Sequence, residues 1–159
     1  MLVYFYTMRK SAGILLYRLN KNTLELFLVH PGGPFWKGKD AGAWTIPKGE
    51  FPDDEEPLAA AIREFEEETG TAIKGKFSEL KPVKQKAGKM VYCWAVEGDI
   101  DAGNIKSNTY QQEWPYKSGK WQSFPEVDKA AWFSVDEAKE KINSAQVSFI
   151  DDVIELLNK

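Results

Sequence analysis

The stretch DEEPLAAAIREFEEETG, residues 54–70, constrains the fold of this chain more than any other feature. Pro57 lacks an N–H, which a helix tolerates only in its first turn. Gly70 is the residue type that most readily adopts the left-handed conformation that ends a helix. The stretch therefore predicts a helix that begins between Asp54 and Pro57 and ends near Thr69.

The predicted helix carries two different faces. Apolar residues recur at the i, i+3, i+4, i+7 spacing of a buried stripe, and they are Leu58, Ala61, Ile62 and Phe65. Glu64, Glu67 and Glu68 follow the i, i+3, i+4 spacing on a face about 110° away, since each residue turns the helix by about 100°. Glu66 points off this face, and we expect it to be solvated. One face thus predicts packing, and the other predicts three clustered carboxylates.

The clustered carboxylates raise the question of what balances their charge. They repel one another, and they lie at the end of the helix that already carries partial negative charge. Hard divalent cations such as Mg²⁺ prefer carboxylate oxygens, and a bound cation turns this repulsion into attraction. A solvated charged face is the simpler alternative. Helical spacing alone leaves both interpretations open.

Length and composition limit the class of protein. With 159 residues, the chain is long enough for one domain with a real core, and we predict a single domain over residues 1–159. The net charge of −3 disfavours broad DNA binding through the phosphate backbone. The lone Cys93 excludes an internal disulfide, and its apolar neighbours favour a packed core position. Since no stretch approaches the ~20 apolar residues that span a bilayer, we expect a soluble cytoplasmic protein, either a monomer or a homodimer.

The remaining segments predict a sheet with helices on its faces. Residues 11–18 and 24–30 are expected to form a hairpin. Further strands are predicted at 43–47, 77–83, 89–97 and 129–135, and further helices at 136–142 and 144–157. Segment 99–128 is long, polar and aromatic, which is typical of a disordered or functional loop. Residues 1–7 precede a second methionine and form either an N-terminal extension or an added edge strand.

Lysines flank the acidic helix on both sides in sequence. Residues 50–68 contain nine acids and one base, whereas the flanking segments include Lys37, Lys39, Lys48 and Lys89. An acidic centre with basic flanks suits metal ions together with a phosphorylated ligand. Residues 33–39 also nearly match the phosphate-binding pattern G-x-x-x-x-G-K-[ST]. We discount that match because Asp40 replaces the hydroxyl residue and no helix is predicted to follow.

The acidic helix belongs to a longer pattern. Residues 49–71 match the spacing G-x5-E-x7-R-E-U-x-E-E-x-G-U, in which U is a bulky apolar residue. This pattern resembles the box of the Nudix hydrolase family, here within residues 48–71. All seven specified non-apolar positions match, and Thr71 departs from the pattern only at an apolar packing position. The stretch VYCWAVE and the spacing of Glu126 from Trp132 look most like the diadenosine tetraphosphate hydrolase branch.

The resemblance implies a fold, a cofactor and several residue roles. The implied fold is the α/β Nudix fold, a mixed β-sheet sandwiched between helices (α/β/α), and the implied cofactor is Mg²⁺ or Mn²⁺. The positions that match the family's metal ligands are the Gly49 carbonyl, Glu64, Glu67 and Glu68. Arg63 matches the box arginine, which orients a box glutamate, here Glu55 or Glu67.

The general base is left open by the resemblance, because the family places it variably. A carboxylate must accept the proton of the attacking water. One candidate is a box glutamate such as Glu67. Outside the box, Glu126 is our first candidate, as base or further metal ligand, and Glu113 is the second.

Other residues are candidates for substrate contacts. Those for the phosphates and their surroundings are Lys37, Lys39, Lys48, Lys89 and Tyr92. Tyr110 and Trp114 belong to an aromatic cluster with Tyr116 and Trp121, whose rings either stack on a base or pack the loop against the protein. His30, the only histidine, cannot form a histidine-based metal site, and we assign it a structural or surface role.

The leading functional hypothesis is metal-dependent hydrolysis of a phosphoanhydride bond in a nucleoside diphosphate-linked substrate. Resemblance favours dinucleoside polyphosphates such as diadenosine tetraphosphate. The alternatives are an NTP pyrophosphatase that cleanses nucleotide pools and an ADP-ribose or capped-RNA pyrophosphatase. A nucleotide-binding sensor without turnover is the alternative of another class, and the intact set of box glutamates argues against it.

Overall fold

The computed structural model describes residues 9–159, and the predicted extension at residues 1–7 lies outside them. The strands are β1 (Lys10–Asn20), β2 (Thr23–Pro31), β3 (Lys48–Glu50), β4 (Ser78–Glu79), β5 (Val83–Lys84), β6 (Met90–Glu97), β7 (Thr109–Glu113), β8 (Trp121–Pro125) and β9 (Val127–Ser134). The helices are α1 (Pro57–Thr69), α2 (Val135–Lys141) and α3 (Val147–Leu157).

Seven of these strands form one mixed sheet. Its main order is β4-β6-β1-β2-β9, with β3 paired to β1 and β5 paired to β6. The β1–β6 pair is parallel, and the other pairs are antiparallel. The predicted hairpin of β1 and β2 and the predicted mixed sheet are both confirmed.

Strand β1 contributes to a core on each face of the sheet because successive side chains point to opposite sides. Leu15 and Tyr17 face α2 and α3 in one buried cluster. Ile14 and Leu16 face α1 in the other, where Phe65 is fully buried. Helices therefore cover both faces, and the predicted α/β/α sandwich is confirmed.

Helix α1 begins and ends where its local sequence predicts. The Glu56 carboxylate caps the first turn by accepting hydrogen bonds from the backbone N–H groups of Leu58 and Ala59. Gly70 ends the helix with φ of 81°, and its N–H donates to the Glu66 carbonyl. Glu66 is exposed as predicted, whereas burial differs along the acidic face, where Glu68 is buried and Glu64 and Glu67 are half-buried.

Two predicted strands are wrong in extent. Segment 43–47 is not a strand, because Trp44 and Thr45 form only isolated bridges and Pro47 has no N–H to donate. The strand lies instead at Lys48–Glu50. The single strand predicted at 77–83 is two short pieces, β4 and β5, separated by a stretch that contains Pro82.

Segment 99–128 is more ordered than its composition predicts. It contains a short 3-10 turn at Ala102–Asn104 and the separate antiparallel hairpin of β7 and β8. The hairpin register places Tyr110 opposite Phe124 and Glu113 opposite Trp121. The prediction of a long irregular loop is therefore wrong, because the polar and aromatic residues of β7 and β8 form a two-stranded ribbon.

Candidate functional site

Strand β3 and helix α1 meet at Gly49 and Glu64. The β1–β3 pairing places Gly49 opposite Ala12, on the face of the sheet that α1 covers. A Cβ atom at position 49 would collide with the Glu64 carboxylate. A side chain at this position would therefore displace the Glu64 carboxylate, which packs directly against the backbone.

Arg63 ties three glutamates together. Its Nε and Nη2 donate to the two carboxylate oxygens of Glu55 at 2.9 and 2.8 Å. Its Nη1 donates to Glu64 and Glu67, each at 3.0 Å. The hydrogen bonds that Arg63 donates to Glu55 lower the pKa of the Glu55 carboxyl and are the main cause of the raised pKa of Arg63. The arginine thus orients Glu55, Glu64 and Glu67, which is more than the single partner that the sequence predicts.

The carboxylates of Glu64, Glu68 and Glu126 all have raised pKa values, although Arg63 contacts Glu64. Burial, followed by repulsion from Glu64, raises the pKa of Glu68 well above its usual value. Burial and the charge of Glu67 raise the pKa of Glu64. At the exposed rim, partial loss of hydration and the charge of Glu67 raise the pKa of Glu126. Burial is the larger cause in each case, and repulsion between neighbouring carboxylates adds to it.

A cavity of about 340 Å³ brings these groups together. Its lining contains seven of the predicted site residues, namely Lys48, Gly49, Glu64, Glu67, Glu68, Lys89 and Glu126. Burial, followed by the charge of Lys89, lowers the pKa of Lys48 to about 8. Two cations thus face a group of acids across one cavity, an arrangement suited to a cation and a phosphorylated ligand.

Backbone hydrogen bonds join the end of α1 to the base of the hairpin. The N–H groups of Lys106 and Asn108 donate to the carbonyls of Thr69 and Glu67 at 2.9 and 2.8 Å. The Glu126 N–H donates to the Asn108 carbonyl at 2.9 Å. These bonds satisfy carbonyls at the negative end of the helix and bring Glu126 to the cavity.

Sequence reasoning missed Asn108 and Glu50 as lining residues. Asn108 lies in a segment without periodicity, and its position depends on the backbone bond to Glu67. Glu50 follows the box glycine directly, but a single acid beside Gly49 gives no signal that separates it from an ordinary surface residue. Only the tertiary contacts place these two residues at the cavity.

The chemistry of the donor groups fits a hard divalent cation. Within residues 9–159, no three carboxylates, thiolates or imidazoles are already spaced for one ion. Arg63 holds Glu64 and Glu67 through its own hydrogen bonds, which accounts for that spacing. The available donors are nonetheless all oxygens, from carboxylates and the Gly49 backbone, and these are the ligands that Mg²⁺ prefers.

Several predicted substrate residues lie away from the lining of this cavity. Lys37 is exposed, and the Nζ of Lys39 lies 5.1 Å from the centre of the Phe35 ring. Tyr92 packs edge-on against Phe51 at 6.2 Å. The structure therefore brings Lys48 and Lys89 to the acids but not these three residues.

The aromatic residues of segment 99–128 behave in two ways. The Tyr110 hydroxyl donates to the Gly32 carbonyl at 3.2 Å, and its ring packs near Phe124. Trp114, Tyr116 and Trp121 are exposed. Tyr110 therefore packs the hairpin against the loop that follows β2, whereas the rings of Trp114, Tyr116 and Trp121 are open to solvent.

Glu113 is wrong as a candidate general base. Its carboxylate accepts hydrogen bonds from the backbone N–H groups of Lys117 and Gly119 at 3.2 and 3.1 Å. These contacts hold the turn of the β7–β8 hairpin. Because both oxygens serve the turn and Glu113 does not line the acidic cavity, its role is structural.

The predicted structural roles of His30 and Cys93 agree with their positions. The Nδ1 of His30 lies 2.9 Å from Asp128 Oδ1, and its Nε2 lies 2.7 Å from the Lys39 carbonyl oxygen. Cys93 is fully buried, and burial raises the pKa of its thiol. None of the helices within residues 9–159 is long and apolar enough to cross a bilayer.

Comparisons with known proteins agree with this geometry. A family model described as a NUDIX domain matches residues 7–153. The mRNA-decapping protein g5R of African swine fever virus, isolate Pig/Kenya/KEN-50/1950, is 58% identical over 36 residues. That match covers 23% of this chain and only 15% of the length of the viral protein.

Two further similarities cover most of the chain. The asymmetrical bis(5′-nucleosyl)-tetraphosphatase of Mus musculus is 26% identical over 136 residues, which is 78% of this chain and 85% of the mouse protein. The crystal structure of a C. elegans Ap4A hydrolase binary complex superposes with a TM-score of 0.66 at 21% identity. It covers 95% of this chain and 98% of the nematode chain, and at this identity it supports the fold alone.

Proposed function

The chain belongs to the Nudix hydrolase family, and we propose that it hydrolyses a phosphoanhydride bond in nucleoside diphosphate-linked substrates. One observation carries the proposal: the carboxylates of α1 and Glu126 converge with Lys48 and Lys89 on a single cavity. A structural acidic face would need no such convergence. The best substrate class is dinucleoside polyphosphates such as diadenosine tetraphosphate.

The proposed cofactor is Mg²⁺ or Mn²⁺. The groups that would hold it are the Gly49 carbonyl and the carboxylates of Glu64, Glu67, Glu68 and Glu126. When bound, such an ion neutralises phosphate charge and lowers the pKa of a coordinated water. It would also offset the burial and the mutual repulsion that raise the pKa values of Glu64 and Glu68.

The protein's own groups divide the remaining work. The ammonium groups of Lys48 and Lys89 are placed to bind phosphate oxygens at the rim of the cavity. A carboxylate accepts the proton of the water that attacks phosphorus, and Glu67 and Glu126 are the two candidates. Arg63 acts through its hydrogen bonds to Glu64 and Glu67, which fix the position of both carboxylates.

The substrate proposal depends on how much of each relative is matched. The mouse tetraphosphatase is similar over most of both chains, which favours a dinucleoside polyphosphate. The viral decapping protein is more identical but only over 36 residues, which makes capped RNA the second candidate. NTPs and ADP-ribose remain competitors, and a nucleotide-binding sensor remains the alternative without turnover.

A substrate panel tests the proposal directly. The purified full chain with Mg²⁺ is offered diadenosine tetraphosphate, capped RNA, dNTPs and ADP-ribose, and the products are separated by chromatography. We expect kcat/KM to be highest for diadenosine tetraphosphate. A higher value for another substrate replaces the substrate assignment, whereas no turnover of any substrate favours the sensor.

A further inference from the structure

A second cavity lies directly beside the acidic one, and Lys48 lines both. Its volume is about 160 Å³, compared with about 340 Å³ for the acidic cavity. The residues that matter for its chemistry are Pro31, Trp36, Thr45, Gln85, Asn143 and Gln146. The two cavities thus share a wall at Lys48 but are built from different segments of the chain.

The chemistry of the second cavity differs from that of the acidic one. Its lining contains no carboxylate, and it combines the flat ring of Trp36 with the neutral amides of Gln85 and Asn143. Aromatic rings stack on the faces of planar heterocycles. Amides donate and accept hydrogen bonds at the edges of such rings. The lining therefore suits a nucleobase better than a phosphate.

The side-chain amides in this cavity differ in how many hydrogen bonds their oxygens already accept within the protein. Gln146 Oε1 accepts hydrogen bonds from Ile46 N and Thr45 Oγ1, each at 3.1 Å, so this side chain braces the wall. Asn143 Oδ1 accepts a hydrogen bond from Ala145 N at 2.9 Å. Gln85 Oε1 is buried and has no hydrogen-bond partner among residues 9–159.

A buried acceptor without a partner is unfavourable, and a ligand N–H group can satisfy it. The backbone around Gln85 is fixed, because its N–H donates to the Lys89 carbonyl at 2.8 Å and its carbonyl accepts from Gly88 N at 3.1 Å. Lys89 itself lines the acidic cavity. The Gln85 backbone is therefore held at a set position relative to the groups that face phosphate, and its side chain turns toward the cavity when the buried Oε1 meets a ligand.

We propose that this second cavity binds the nucleobase of the substrate, with Gln85 Oε1 accepting a hydrogen bond from the exocyclic amino group of a purine. The inference rests on the proposed function, which places the phosphates in the acidic cavity. A single sugar separates the base of a nucleotide from its first phosphate. Lys48 lines both cavities, so a base and its phosphates would occupy adjoining spaces.

The test compares two ligands that differ only in the amino group, AMP and purine riboside 5′-monophosphate. Their dissociation constants are measured by titration calorimetry with Mg²⁺. We expect the wild-type protein to bind AMP about tenfold more tightly, as one buried hydrogen bond allows. Gln85→Leu should reduce that ratio to about twofold or less, since the acceptor is gone. Gln111→Leu, at an exposed position on β7, serves as the matched control and should keep the tenfold ratio.

Two results would overturn the role of Gln85. One is equal binding of the two ligands by the wild-type protein, and the other is an unchanged preference for AMP in Gln85→Leu. If Gln85→Leu fails to fold, Gln85→Glu keeps an acceptor oxygen and should keep the preference for AMP. Loss of that preference in a folded Gln85→Glu variant would also count against the assignment.

Trp36 provides an independent variant for the same cavity. Trp36→Ala should weaken both ligands by about tenfold or more without changing their ratio, because stacking does not depend on the amino group. Trp36→Phe should restore most of the affinity. Unchanged affinity in Trp36→Ala would exclude stacking in this cavity.

The binding assay and the substrate panel can fail separately. Base discrimination that depends on Gln85, without turnover of any substrate, would reject hydrolysis but retain the base site. Turnover without such discrimination would retain hydrolysis and reject the base site. The two outcomes are distinguishable because nucleoside monophosphate binding is measured without a reaction.

Discussion

Two polar cavities of this protein, both lined by charged residues, differ in how those charges are paired. The cavity near Arg18 is the larger, at about 430 Å³. Its arginine donates to Glu25 and Asp99 at 2.8 and 2.7 Å and stacks on the Trp132 ring at 4.1 Å. In the acidic cavity, burial first and repulsion between neighbouring carboxylates second raise the pKa values of Glu64 and Glu68. The pairing of charges therefore separates the two cavities better than their volumes do.

The largest expected effect comes from removing one charge at the acidic cavity. Glu67→Gln should lower kcat/KM by about 10²–10⁴-fold, the range typical for loss of a group that handles a proton. Gln can still accept the hydrogen bond from Arg63, so the fold should survive. Steady-state kinetics and a thermal melt measure the two effects.

Glu66→Gln is the matched control for that prediction. It lies on the same helix, one residue away, and it is exposed. Its turnover should stay within about twofold of wild type, since surface substitutions are usually small in effect. Equal losses in the two variants would show that general acidity of the helix, not the converging carboxylates, matters.

The next effect is on stability in the absence of metal. Glu68→Gln should raise Tm by about 2–4 °C near pH 7.5 in a chelator, which corresponds to roughly 1 kcal/mol for a domain of this size. The reason is that the variant no longer buries a carboxylate next to Glu64. Differential scanning calorimetry across pH, with and without Mg²⁺, measures the shift.

The sign of the pH dependence follows from the raised pKa of Glu68. Between its ordinary value of 4.5 and the raised folded value, the folded state binds more protons than the unfolded state. The free energy of unfolding therefore falls as pH rises through this window. Glu68→Gln should flatten that slope and should gain less Tm than wild type when Mg²⁺ is added. A slope unchanged by the substitution would contradict the assignment of the shift to Glu68.

The smallest effect is expected at the cavity near Arg18. Arg18→Met should lower stability by about 0.5–1 kcal/mol, because it removes two ion pairs and the stacking on Trp132. Turnover should stay within about twofold of wild type. A chemical denaturation curve and the same kinetic assay test both parts. A large loss of turnover would show that the cavity near Arg18 also contributes to the reaction.

Helix α1 could be predicted because its signals are local. Pro57, Gly70 and the apolar spacing lie within a few residues of the structure that they determine. The resemblance to the family's box, not helix geometry, predicted that Arg63 pairs with Glu55 or Glu67, and the structure shows both pairs.

The parts that sequence reasoning missed depend on contacts between distant segments. In the sequence, Glu113 is indistinguishable from a free acid, whereas in the structure two N–H groups of the hairpin turn donate to it. Asn108 lies in a segment without a periodic pattern. Gln85 becomes a candidate binding residue only because Trp36 and Asn143 line the same cavity. Such positions are fixed by tertiary packing, which residue spacing along one segment does not reveal.

The backbone bonds that connect α1, Asn108, Glu126 and Gly32 have a consequence for how the protein can evolve. Gly32 N donates to the Glu126 carbonyl at 2.9 Å and completes the series that starts at the helix end. Main-chain hydrogen bonds are indifferent to side-chain identity, except for donors replaced by proline. The hairpin can therefore exchange its exposed aromatic residues for other types while Glu126 keeps its place. Sequence change in the exposed part of the hairpin is thus separated from the position of Glu126 at the acidic cavity.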